Sequence, residues 1–404
     1  MPILQGTRRA ARKPAAALAV VAAVLVAVGC SSNSSSSTSA ASSSTASTSA
    51  SASASASSTS GGSGLSAADQ AGLAKAQAFL ATAEKRPTQI TNTVKVTGTI
   101  PKGKTIDFIT CGATPECTQE GQLVQDADNL LGWSTVILNN DGSSAAWKND
   151  FAQVVRTKPA AVLFTGIPAA LYASDAAALK ANGTFVSTCC VTDEAGPSTG
   201  IGYAIDTPNQ VGPIGGAQAA LVAADSKDTA NSVIVNLPDL PILDNGVTDY
   251  KAGMATYCPT CQVSELDIAL ANIATAPSTI VSYVRAHPSI KYVVAATDGL
   301  TVGLPAALKA AGLSDVQIVG QGATATNLQY MHSGEQAGDV AFPYYEVMWS
   351  MVNAVAQHEA GMTVTPSVAP PLWVLTPSNA PTSSLAFPLV VNYESQFKAL
   401  WGLG

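Results

Sequence analysis

Short apolar runs of strand length return along this chain at intervals of roughly 23–30 residues, the spacing of a strand, a crossover helix and the next parallel strand. The first set is Ile106–Ile109, Val136–Leu138, Val162–Phe164 and Phe185-Val186. The second is Val233–Val235, Leu266–Ile268, Tyr292–Val294, Gln317–Val319 and Val340–Phe342. Amphipathic or alanine-rich segments of helix length separate them, so the pattern predicts two doubly wound parallel sheets. The gap between Phe185 and Val233 is longer, and Ile201–Ile205 within it reads as a strand leaving the first lobe.

From Leu65 to Gly404 the chain exceeds what one hydrophobic core organises, which agrees with two lobes. Charged residues make up 12% and the net charge is −7. No basic stripe exists to neutralise phosphates, so a nucleic-acid partner is not expected. A monomer is.

Ahead of the folded part, Arg8, Arg9, Arg12 and Lys13 precede an apolar run from Ala15 to Val28 that is short for a membrane span. Ala27-Val28-Gly29-Cys30 closes it, as a lipoprotein signal does, so residues 1–29 read as a signal peptide and Cys30 as the lipidation site. Arg8-Arg9 leaves the twin-arginine and general export routes both open. Residues 30–64, almost wholly Ser, Ala, Thr and Gly, can bury nothing and read as a tether with a reach of roughly 30 Å. The expected location is extracytoplasmic, with lipid as the membrane anchor.

The body resembles the type I periplasmic binding proteins, in particular the sugar-type solute-binding subunits of ABC importers. Asn140-Asp141-Gly142, Lys158–Leu163, Asn182–Ser187, Ala295–Gly299 ahead of Gly303–Leu308, and Asp315–Gly320 carry the resemblance by their order and spacing. It implies two similar α/β lobes joined by a three-crossover hinge, with ligand enclosed between them. Carried onto this chain, residues 65–104 form an N-terminal helical extension, 105–206 with 341–370 the first lobe, and 207–340 with 371–404 the second. The crossovers fall near Ile205-Asp206, Val340–Pro343 and Pro366–Pro371.

Chemistry points to the same cleft, because ligands of open parallel sheets sit beyond the strands' carboxyl ends. Strand ends of the first lobe offer Thr114, Asn140, Asp141, Trp147, Cys189 and Cys190. Those of the second offer Asp244, Asn245, Thr297, Asp298 and Gln321, and the hinge adds Phe342 and Tyr345. The resemblance implies an Arg and Asp pair for hydroxyls, yet Cys189-Cys190-Val191 stands where many relatives have Asp-Arg. Asp244-Asn245 and Gly322 occupy the places of an Arg and an Asp. The solute expected is therefore sugar-like or flatter and more apolar, oriented by Asn140, Asp141, Thr297 and Asp298 against aromatic rings. Asp141 and Asp298 equally suit helix caps, and Trp147 and Tyr344–Trp349 equally suit a packing face.

Apart from Cys30, the cysteines form the couplets Cys111/Cys117, Cys189/Cys190 and Cys258/Cys261. In an oxidising compartment these are disulfide candidates, with fifteen connectivities open. Cys258-Pro259-Thr260-Cys261 sits between a helix and a strand, the wrong context for a redox motif, and no histidine spacing completes a zinc site. Gly196–Gly200 matches a nucleophile-elbow pattern around Ser198 but lacks the strand before it and the helix after it. No cofactor or metal motif is present. The expected function is capture of a small solute and its delivery to an ABC-type permease, without catalysis. The alternatives are a receptor for a membrane signalling protein and, behind it, a serine hydrolase.

Overall fold

The computed structural model describes residues 65–113, 115–383 and 387–404. Cys30, the leader and the Ser-rich segment lie outside the described residues, as does Thr114. No helix among the described residues is long and apolar enough to cross a membrane.

The first lobe is a five-stranded parallel sheet in the order β2-β1-β3-β4-β5. Its strands are β1 (Thr105–Ile109), β2 (Ser134–Leu138), β3 (Ala161–Thr165), β4 (Phe185–Cys189) and β5 (Tyr203–Ile205). β3 and β4 are buried at every residue, which is why they read as unbroken apolar runs. On one face lie α2 (Pro115–Leu131) and α10 (Tyr344–Glu359), and on the other α3 (Ser144–Thr157) and α4 (Ala176–Asn182).

The second lobe repeats the pattern as β11-β10-β9-β8-β6-β7. Its strands are β6 (Asn231–Asn236), β7 (Val263–Asp267), β8 (Ile290–Ala295), β9 (Gln317–Gly322), β10 (Gly338–Ala341) and β11 (Trp373–Leu375). All pairs are parallel except β10 with β11. Helices α5 (Pro208–Ser226), α6 (Leu243–Tyr257), α7 (Ala276–Ala286), α8 (Leu304–Ala310) and α9 (Ala325–His332) cover it. β7 ends before Ile268, because this edge strand is half-exposed and polar and its apolar tail belongs to the following turn.

α5 and α6 cross at backbone contact through small residues. A Cβ on Gly215 would stand 1.9 Å from the Gly246 carbonyl oxygen, whereas one on Gly216 would meet nothing within 4 Å. Gly215→Ala should therefore cost about 1–3 kcal/mol through forced separation of the helices. Gly216→Ala should be neutral or stabilise by up to about 1 kcal/mol through helix propensity. Urea midpoints of the two variants test this, and equal midpoints would contradict the crossing.

One correction to the domain boundaries follows from where side chains pack, and so does the placement of residues 65–104. Residues 371–404 do not stay in the second lobe: Leu389 packs with Trp373 and Leu375, but Val390 and α11 (Tyr393–Trp401) enter the first lobe's core beside Trp349. The reason is apolar burial, since Phe397 and Trp401 find their aromatic partners on α10. Residues 65–104 begin with the expected helix, and it packs on the body. Helix α1 (Ala67–Ala83) buries Ala76 and Leu80 in the second lobe's core, against α5 and α6. The chain then bonds along both lobes: the Glu84 carbonyl accepts from Trp373 Nε1 and Asn379 Nδ2, each at 3.0 Å. Arg86 lies 4.9 Å over the Trp373 ring and donates to the Leu389 carbonyl at 2.9 Å. Beyond it, Ile90 N–H donates to Gln396 Oε1 and Val96 N–H to the Leu400 carbonyl, both on α11 or its end. The main chain thus passes between lobes at 205–208, 341–344 and 360–372, and again at 389–390 and 84–90.

Candidate functional site

The carboxyl ends of both sheets, and the hinge between them, define the candidate site. After β1 the Cys111–Cys117 disulfide, with Cα atoms 5.3 Å apart, closes the loop that starts α2. Two turns in, Glu120 is buried and accepts from Thr165 Oγ1 at 2.6 Å, and burial pushes its carboxyl up to about 7. Cys111, Cys117 and Glu120 come within 4.8 Å of one another, but the two sulfurs are bonded together, so one carboxylate alone remains to offer a metal.

β4 ends in the adjacent pair Cys189–Cys190, disulfide-bonded across a Cα separation of 3.8 Å, with Cys190 at φ 64°. The Cys190 N–H donates to the Ile205 carbonyl, tying this kink to the first crossover. There Asp206 takes φ 57°, a left-handed conformation that Asp tolerates better than most residues. Its backbone N–H is held by Gln210, whose amide also reaches Ser367 in the third crossover. The Asp206 carboxyl is 3% exposed, receives no hydrogen bond among the described residues, and is pushed up to about 7 by burial.

On the second lobe, Asp298 follows β8 but turns inward. Its oxygens accept from the Gln321 and Thr324 N–H groups at 3.1 and 2.8 Å, and it faces Asp339 of β10. Asp339 accepts from Ala323 N–H at 3.0 Å and Gln336 Nε2 at 2.6 Å. Gly320 of the intervening β9 makes the room: a Cβ there would sit 2.4 Å from an oxygen of each carboxyl. Burial raises the affinity of both groups for protons, and mutual repulsion raises Asp339 further.

Several residues that the sequence placed at the cleft serve the framework instead. Asn140 donates to the Thr110 carbonyl and to Asp150, each at 2.9 Å, and Asp141 caps its own turn by accepting from Ser143 N–H. Trp147 is buried against Phe151 in the first lobe and donates to the Thr110 carbonyl, which is the packing role open to an aromatic at a helix start. Tyr345 leans on Tyr393 of α11 at 5.2 Å. Asp244 accepts from Asn236 at 2.8 Å, and Asn245 donates to the Ile242 carbonyl. Thr297 and Gln321 stay at the rim, half-buried.

Phe342 and its neighbour Tyr344 form the aromatic floor, with ring centroids 4.6 Å apart and planes at 70°. Tyr344 reports on the geometry most directly. Its phenol is pushed well above the ordinary range, first by burial, then by the charges of Glu120, Asp298, Glu116 and Asp339. Glu116 and Glu120 belong to one lobe, Asp298 and Asp339 to the other, so acidic groups of both lobes bear on this phenol. Sequence reading weighed Tyr344 both as a cleft aromatic and as part of a helix face, and missed Glu120 altogether. Its signal was a Glu set just beyond the Cys111–Cys117 loop.

The arrangement is that of two α/β lobes with the candidate site at their hinge. A periplasmic binding protein domain profile matches residues 100–362, and the chain belongs to that family, with the type I fold. An ABC sugar transporter subunit from Rhodobacter sphaeroides 2.4.1 is similar at 20% identity and TM-score 0.60, over 68% of this chain and 98% of that one. So is an ABC transporter solute-binding protein from Agrobacterium vitis bound with alpha-D-tagatopyranose, at 18% and 0.62, over 70% and 98%. A 5-methylthioribose transporter solute-binding protein from Thermotoga lettingae TMO, in complex with 5-methylthioribose, aligns at 16% and 0.63, over 76% and 99%. Comparison with curated proteins finds no match.

Ser198 lies exposed in a turn closed by the Gly196–Ile201 bridge, with no helix behind it. The histidines are engaged elsewhere: His358 stacks on Phe185, His287 on Tyr283, and His332 meets the Pro381 carbonyl. The nucleophile-elbow arrangement is not assembled around Ser198.

Proposed function

We propose that this chain is the extracytoplasmic solute-binding subunit of an ABC-type importer, lipid-anchored through Cys30, that closes its lobes on a small solute and presents it to a permease. One observation carries the reading: Tyr344 stands under the charge of carboxylates from both lobes, so a solute at Phe342 and Tyr344 contacts both rims at once. Closure then follows from differential contact, because the closed state offers the solute a second wall that the open state lacks. The structural neighbours support a polar, hydroxylated solute of about sugar size, since those crystallised with ligand carry tagatopyranose, arabinose, 5-methylthioribose, allitol or glycerol. The three local disulfides fit an oxidising compartment, and Cys111–Cys117 and Cys189–Cys190 would stiffen loops at the first lobe's strand ends.

Thermal scanning against sugars, polyols, amino acids and amines, followed by small-angle scattering with each hit, tests the proposal. A true ligand raises the melting temperature by mass action and shrinks the radius of gyration. Phe342→Ala should weaken it by about tenfold or more, as expected for an aromatic anchor worth at least ~1.4 kcal/mol. Binding without compaction, or binding indifferent to Phe342, would reject it.

A further inference from the structure

The adjacent disulfide at the end of β4 stands where two of the hinge crossovers come together. His358 of α10 stacks on Phe185 at 4.5 Å, and Ser187 Oγ donates to the Met351 carbonyl at 3.3 Å, so α10 runs antiparallel to β4. Two residues farther on, about 6–7 Å up the strand, Cys189 faces the same way and comes level with the first turns of α10. It is 0% exposed and shares an apolar cluster with Val347 and Met348. Half-buried Cys190 packs at the margin of that cluster, as Phe342 and Tyr344 do. The second crossover, 341–344, feeds this helix start. The first is bonded to the pair directly, because the Cys190 N–H donates to the Ile205 carbonyl at 3.1 Å.

Global stability does not explain a bond at this place. A link between neighbours closes no chain loop and removes next to nothing from the unfolded chain's freedom, whereas Cys111–Cys117 and Cys258–Cys261 at least close short loops. Nor does the strand need it for alignment. Cys189 is paired with Thr165 on one side and Ile205 on the other, and its carbonyl accepts from the Gly166 N–H at 3.0 Å. What the bond holds is Cys190 at φ 64°, a left-handed conformation that Gly, Asn and Asp adopt readily and Cys does not. From that conformation the Cys190 N–H reaches Ile205, one residue before Asp206, which is itself left-handed at φ 57°. The Cα atoms are 3.8 Å apart, the fixed spacing of neighbours and less than the roughly 4.4–6.8 Å of ordinary disulfides, which favours reduction. We propose that Cys189–Cys190 is a redox site of the hinge, which holds the first crossover while closed and releases it when a dithiol opens it.

In the opening step a thiolate of the dithiol attacks the sulfur of Cys190, the less buried of the two residues, and the S–S electron pair leaves on Cys189, which takes a proton. The second sulfur of the dithiol then displaces Cys190 from the mixed disulfide. Cys190 takes a proton, and the reductant departs as a disulfide. The protein has gained two electrons and two protons. Cys190, no longer tied to its neighbour, relaxes to an extended φ, and its N–H leaves the Ile205 carbonyl. The consequence for capture rests on the solute-capture reading: a looser crossover spreads the empty lobes over more arrangements, so a smaller share is ready to close on a solute.

Thiol mapping and amide exchange on the mature protein, without solute, test the site. Graded dithiothreitol followed by alkylation should open Cys189–Cys190 at a concentration at least about tenfold below the one that opens Cys258–Cys261. With the bond open, the amides of Cys190 and Asp206 should exchange at least about tenfold faster, while those of β7 stay unchanged. Cys189→Ser with Cys190→Ser should behave as the reduced chain does without any reductant. Cys189→Ser with Cys190→Asn should recover most of the protection, because Asn accepts a left-handed φ. Opening of Cys258–Cys261 at the same or lower dithiol, or amides at 190 and 206 that exchange alike with the bond open and closed, would overturn the proposal. So would an Asn variant as unprotected as the Ser variant, or protection lost throughout the chain on opening, which would make the bond a general brace. The wild-type measurements hold whether or not the variants fold. No solute enters them, so their failure leaves solute capture standing, and a failure of capture leaves the redox site standing.

Discussion

The melting temperature will fall by about 5 °C or more between pH 5 and pH 8, against the usual behaviour of an acidic protein. Burial holds Glu120, Asp128, Asp206 and Glu346 each at about 7, whereas unfolded carboxyls titrate near 4. Between those values the native chain retains protons that the unfolded chain has released, so stability declines as pH rises. Below about pH 4 both states are protonated and the curve flattens; above about pH 7 the loss is complete. Only the part of each shift that lies above pH 5 acts in this window; one pKa unit per group there makes the four together worth about 5 kcal/mol, or about 7 °C for a chain of this size. Asp141 and Asp315 shift downward and act in the opposite sense, but both are exposed and weakly coupled to folding. Asp128→Asn should flatten part of the profile, since its lone donor, Thr135 Oγ1 at 2.7 Å, still finds an oxygen there. A stability maximum at pH 8 would mean these carboxyls are ionised in the native state.

Trp349→Ala should cost about 3–5 kcal/mol and free the C-terminal helix from the first lobe. The Trp349 side chain is 1% exposed. It stacks on Trp401 at 5.4 Å, meets Tyr393 edge-on at 4.9 Å and lies 5.6 Å from Phe397. Those three partners all come from α11, so one truncation removes most of the aromatic junction between α10 and α11, leaving the Tyr345–Tyr393 contact and the Trp401 bond to Asn353. Its indole N–H has no partner among the described residues, an unusual burden for a buried polar group. Trp349→Phe should consequently cost far less, because the ring is largely kept and the unpaired donor is removed. Urea midpoints, with amide exchange on α11 as the local readout, separate the two variants. Similar losses for Ala and Phe would show that the stack is not what holds the helix.

The sheets were legible because their strands are buried on both faces and therefore spell themselves in apolar letters. β11 was not, since three residues in a proline-rich stretch carry no period and its antiparallel pairing with β10 is a tertiary choice. The candidate site was legible as a set of loops and far less as side chains. Trp147 and Tyr345 lie where a cleft aromatic would lie, but orientation about a helix axis decides between core and cleft, and spacing alone does not give it. Asp298 misled for another reason. Its partner Asp339 reaches it only because β9 aligns β8 with β10 and because Gly320 leaves space between them. Glu120 was missed because its place just beyond the Cys111–Cys117 loop marks its position in the chain and says nothing of burial.

The two extra passages of chain, at 84–90 and 389–390, lie outside the span that matches the family profile. They lace the back of the molecule. A body stitched along that seam can gape at the front, but it resists shearing or twisting, because any sideways slip must tear Arg86 from Trp373 on one half or Ile90 from Gln396 on the other. The two rims are thereby kept facing each other while empty, and recapture of a solute needs a nod of the lobes rather than a search for alignment.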